Sequence, residues 1–164
     1  MTLGRRYLLL LAIMFWQGGF TFYGAVVIHV GQEVLGSHLN QGYVTRSVSN
    51  YLNLAGVVAL VLWAWDIAAA RDTARRIWLR WGLWLVLALT LGLLVWLHPR
   101  LDELLDVDYF GVLDHRQFRV LHRWYLNIST VQWGASLILT AATLMAWQFA
   151  DSQVSDARSP EASG

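Results

Sequence analysis

Residues 121–150 read LHRWYLNISTVQWGASLILTAATLMAWQFA, and after Arg123 they contain no charged side chain. Within the stretch His122, Tyr125, Ser129, Gln132, Ser136, Thr140 and Thr143 recur at steps of three or four. That spacing places all seven on one face of an α-helix. A hydrocarbon environment does not tolerate so long a polar stripe, so the face is expected to look inward at other helices. The segment therefore reads as a membrane-spanning helix with a built-in interior side.

Three further segments have the same length and apolar character. A bilayer core of about 30 Å takes about 20 apolar residues per helical crossing. Together the spans are predicted at about residues 7–30, 47–69, 77–97 and 121–150, separated by short charged islands. Of the 164 residues 57% are hydrophobic and only 14% charged, a balance displaced from the soluble average towards membrane proteins. The fold class expected is all-α, an integral membrane antiparallel four-helix bundle. Its third connection, residues 98–119, is expected to carry a short interfacial helix begun by Pro99 and to lie as a lid over the outer end. Residues 151–164 are expected to form a disordered cytoplasmic tail.

Arg is the only basic residue, with the group at Arg71, Arg75, Arg76 and Arg80 the densest. Basic residues collect on the cytoplasmic side of a membrane protein, so both termini are expected to be cytoplasmic. Arg80, at the edge of span three, is expected to snorkel to the interface. Asp66 is expected to pair with Arg71 or a neighbour, and span three, almost purely apolar, to face lipid most. Gly18, Gly24 and Ala25 in span one are read as packing positions that let another helix approach. Eight of the ten tryptophans fall near a predicted interface, as an aromatic belt requires. A net charge of +1 gives no footprint for a nucleic-acid partner. The absence of cysteine removes disulfides and thiolate metal sites. No phosphate-binding glycine loop, nucleophile elbow or zinc-protease motif occurs.

Candidate chemistry rests on the histidines, since His29, His38, His98, His115 and His122 all map to the outer side. Glu33 lies one helical turn beyond His29 and shares its face. If spans one and four are neighbours, His29, Glu33 and His122 converge on a divalent metal. Alternatively His29 and His122, with His98 nearby, ligate a b-type haem. Weighed against these is the plainer reading of histidines as amphipathic interface residues. The stripe Tyr125, Ser129, Gln132, Ser136, Thr140 and Thr143, with Asn53 of span two, likewise has two readings. It is either interhelical hydrogen-bonding glue or the lining of a water-filled or quinone-accommodating cavity. The glue reading is favoured, because no ionisable residue sits at mid-membrane to mark a proton or ion path.

Phe118-Arg119-Val120-Leu121-His122-Arg123, followed by Asn127 and Gln132, forms a recognisable pattern. So does the glycine-rich first span with its short loop and Gly42-Tyr43-Val44-Thr45-Arg46. These resemble the broad family of small four-span proteins akin to transmembrane protein 205. The resemblance implies a four-helix membrane bundle and brings no biochemical activity with it. Taken together, the sequence favours a non-enzymatic membrane protein acting as a structural or accessory subunit. Its partners would be lipid and other membrane subunits or further copies of itself. A haem- or metal-binding redox protein is the alternative, and a channel along the stripe a third.

Overall fold

The computed structural model describes residues 2–70, 72–106 and 111–158. Four long helices dominate it, and all four are long and apolar enough to cross a membrane. The first, α1 (residues 2–35), is interrupted by two π-helical turns at Met14–Gly18 and Tyr23–Val27. It is followed by α2 (His38–Ala68), α3 (Ala74–Asp102) and α4 (His115–Arg158). The chain is thus an all-α membrane-spanning bundle, with one small exception between α3 and α4. There β1 (Leu105–Asp106) and β2 (Gly111–Val112) pair antiparallel, Leu105 opposite Val112.

Local chemistry explains where the helices stop. Gly36, at φ +61°, closes α1 in the left-handed conformation that favours glycine. The Ser37 Oγ then accepts from the Asn40 N–H, and only two residues, Gly36 and Ser37, join α1 to α2. The Asp114 carboxylate accepts from the backbone N–H groups of Arg116 (2.9 Å) and Gln117 (3.0 Å) and caps α4. The helices therefore overrun the predicted spans. α4 continues through residues 151–158, where disorder was expected, with Asp151 held by Arg6 of α1; residues 159–164 lie outside the described part.

The third connection also differs from expectation. Pro99 sits inside the last turn of α3 and starts no new helix. A missing N–H there breaks one hydrogen bond, while the His98–Asp102 contact and the Glu103 N–H to Pro99 carbonyl bond hold the turn. Beyond it the chain turns back through the two-residue β-pairing; Asp108, Tyr109 and Phe110 are not among the described residues.

The core is drawn from all four helices: Leu9, Ile13 and Trp16, then Ala59, Leu60 and Trp63, then Leu87 and Leu91, then Ala135, Leu139 and Trp147. Span three does not face outward most. Arg80, Leu87, Thr90, Leu91, Leu94, Leu97 and His98 turn in towards its neighbours, and 33% of the most apolar stretch of α3 is buried against 17% for α1. Among uniformly apolar residues the amphipathic contrast that marks an inner face disappears, so composition alone pointed to the wrong helix. Nor are Trp63 and Trp147 belt residues, since each is at least nine-tenths buried. Several indoles instead join helices: Trp63 donates to Thr143 Oγ1 (3.2 Å) and Trp84 to the Leu60 carbonyl (2.8 Å). Trp78, Trp96 and Trp124 keep the exposed positions that a belt requires.

Candidate functional site

The two ends of the bundle are built differently. At the end holding both termini, each helix sends one side chain to a common point. Asp66 of α2, fully buried, accepts from Arg5 Nε of α1 (2.8 Å), Arg80 Nη2 of α3 (2.6 Å) and the Trp147 indole of α4 (3.1 Å). Arg80 is therefore not a snorkelling residue; its guanidinium is wholly buried and turned inward. The expected Arg71 partner lies outside the described residues. Arg6 supports the same end, bonding both Asp151 oxygens (2.8 and 2.9 Å) and lying over the Trp147 ring. The cluster joins two cations to one carboxylate, and the Arg80 Nε and Nη1 have no partner among the described residues. An overlooked signal is that Asp66 and Arg80 each bound an apolar run at the same depth on consecutive antiparallel helices.

The opposite, histidine-bearing end is open. His98 at the end of α3 is buried, and both its ring nitrogens are engaged: Nδ1 with Asp102 Oδ2 (3.0 Å) and Nε2 with the Arg46 carbonyl of α2 (3.1 Å). Arg46 Nε closes the triangle on Asp102 Oδ2 (3.0 Å). Beside this triangle lies a cavity of about 300 Å³, walled by Leu101, Val112, Phe118, His122 and Tyr125, with Ser49 opposite. The His122 ring stacks on Phe118, with centroids 5.7 Å apart and planes 8° apart. Tyr125 meets His98 edge-on and lies within side-chain hydrogen-bonding reach of Ser49.

A smaller chamber of about 60 Å³ lies deeper and shares Ser49 and Tyr125 with the first. Trp16, Phe20, Tyr23 and Gly24 reach it from the π-turned part of α1, and Asn53, Ser129 and Gln132 from α2 and α4. π-Helical turns are rare and concentrate at functional sites, because the extra residue re-aims the side chains around it. Here they help wall the chamber. Next to it, Tyr23 Oη donates to Thr45 Oγ1 (2.9 Å) and accepts from Gln41 Nε2 (3.1 Å), joining α1 to α2.

The stripe of α4 faces inward: Ser129, Gln132, Ser136 and Thr143 are buried. Its bonding differs along its length. Ser136, Thr140 and Thr143 donate to carbonyls one turn back in their own helix, and Thr143 also accepts from Trp63. Ser129 Oγ and Gln132 Nε2 have no partner among the described residues. Of the candidate ligands, His98 and His122 line the outer cavity, while His29 and Glu33 are exposed on the outside of α1. Among the described residues no group of three or more His, Asp or Glu is placed to hold a metal ion, so the expected convergence of His29, Glu33 and His122 does not occur. The reason is that His29 and Glu33 lie on the outward face of α1. Comparison of the chain with protein-family models, curated proteins and solved structures finds no match.

Proposed function

We propose that this protein is a non-enzymatic accessory subunit of a larger membrane assembly, docking through the outer face of α1. The observation that carries the reading is that Gly18, Phe22, Ala25, His29 and Glu33 all stand exposed on that helix. Small residues in a membrane helix let a second backbone approach, yet a Cβ at Gly18 would meet nothing within 4 Å. Gly18 is thus unused inside the bundle, where the tight contacts fall at Gly19, Gly31 and Gly56 instead. The low burial of α1 within its own chain supports the same reading, because a partner helix would complete its packing. The arginine-rich end is the cytoplasmic one in this scheme, with both termini there. The likeness of Phe118–Arg123 to transmembrane protein 205-like chains fits a small bundle of this kind.

The test is photocrosslinking in native membranes with p-benzoylphenylalanine in place of Phe22, and in place of Leu89 on the exposed side of α3 as control. A discrete protein adduct from position 22, weak or absent from position 89, supports docking at α1. An adduct of twice the chain's mass makes the partner a second copy. Lipid adducts alone from both positions would sink the proposal.

A further inference from the structure

Buried polar groups nearly always find a hydrogen-bond partner, and those that do not ask for a bound molecule. Ser129 and Gln132 are 4% and 5% exposed, Ser129 Oγ and Gln132 Nε2 have no partner among the described residues, and both line the inner chamber. We propose that the two chambers form one site for a neutral, flat, oxygen-bearing ring of the quinone or quinol class. The ring occupies the inner end of the outer cavity, against Tyr125, and one ring oxygen passes the Ser49–Tyr125 boundary towards Ser129 and Gln132.

Three observations select this chemistry. First, size: about 300 Å³ lies at the lower end for small-molecule pockets, enough for a substituted ring. Second, charge: Arg46, the guanidinium lining the outer cavity, is already paired with Asp102, so an anionic head would meet a carboxylate with its counter-charge taken. A neutral ligand incurs no such cost. Third, shape and polarity: the rings of Tyr125, Phe118 and His122 wall the cavity, an aromatic lining suited to a flat ring. At the deep end, the Gln132 amide N–H donates and the Ser129 hydroxyl donates or accepts, which matches a carbonyl or phenolic oxygen. From Tyr125 to Ser129 the helix rises about 6 Å, the length of one ring with its two oxygens, so a ring against Tyr125 brings an oxygen to the polar end. Only binding is proposed; no bond forms or breaks.

The site lies within the single chain, and its test needs no docking partner. The experiment is titration calorimetry of the full chain in mild detergent with tetramethyl-1,4-benzoquinone. Its carbonyl-free counterpart, 1,2,4,5-tetramethylbenzene, serves as competitor. Saturable binding of one quinone per chain is expected, weakened at least tenfold by Gln132→Leu and not displaced by the hydrocarbon. Where Gln132→Leu fails to give a monodisperse helical protein, Ser129→Ala replaces it, with a several-fold loss expected. Absence of saturable binding, unchanged affinity in the folded variant, or equal displacement by the hydrocarbon overturns the proposal. The first of these would leave the deep chamber to water.

Discussion

Replacing Asp66 with leucine should be far more damaging than replacing Asp66 and Arg80 together. Asp66 is fully buried and receives bonds from Arg5, Arg80 and Trp147, so its loss strands a wholly buried guanidinium. Removing one partner of a buried ion pair costs about 3–5 kcal/mol, chiefly through the charge left behind. For a chain of this size that corresponds to roughly 10–15 °C in unfolding midpoint. In the double variant Asp66→Leu/Arg80→Leu the stranded charge is gone. Arg5 is 12% exposed at its side chain and near the end of α1, and can swing to the interface. The double variant should then lie within about 2 kcal/mol of the parent, since well-packed apolar replacements of buried ion pairs are often neutral. The spare Arg80 Nε and Nη1 strengthen the case, because their burial already costs stability in the parent. Unfolding in mild detergent, followed by tryptophan fluorescence at a fixed heating rate, gives the three midpoints. Should the double variant fall as far as Asp66→Leu alone, the reasoning about the buried charge is wrong.

The two histidines of the outer cavity should separate cleanly. His98→Ala removes two hydrogen bonds and a link between α3 and α2, and should cost about 2 kcal/mol in the same unfolding assay. His122→Ala, at an exposed position, should cost under about 1 kcal/mol. The glycines should separate as well. A Cβ at Gly56 would sit 2.9 Å from the Trp16 ring, so Gly56→Ala should destabilise by about 1–3 kcal/mol. Gly18→Leu, with open space around it, should leave the midpoint of the isolated chain unchanged while abolishing the crosslink from position 22.

The crossing helices and the inward stripe were legible because both are periodic properties of one helix. Hydropathy over 20 residues detects a span, and a polar residue every third or fourth position detects its inner side. What periodicity leaves open is the neighbour that a face meets. Gly18 and Ala25 have the small side chains of packing positions, yet with Phe22 they look out of the bundle, while Gly19 approaches Leu52 of α2. The direction of a charged side chain at a span's edge is equally hidden: an arginine there either reaches for water or turns inward to a carboxylate. Arg80 turns inward because Asp66 of the next helix lies at its depth. His29 and Glu33 illustrate the same limit, since sharing a turn says nothing about convergence with a third residue on another helix.

The contrast between the two ends bears on where function can reside. At the arginine-rich end four helices meet at one carboxylate, and any relative movement there separates buried charges, so that end is held firmly. At the histidine end the interior is hollow, and among the described residues Ser129 Oγ and Gln132 Nε2 have no partner. An end designed only for stability would fill those chambers, because empty volume in a core costs contacts without return. The π turns of α1 fall at this same level, where Trp16, Phe20 and Tyr23 face the chamber while Phe22 and Ala25 face outward. One short segment of α1 thus forms both the wall of the proposed ring site and the proposed docking face. A partner that straightened or shifted that segment would reshape the chamber, and by linkage a ring in the chamber would alter the partner's affinity by the same factor. The firm end then serves as the fixed frame against which the hollow end can respond.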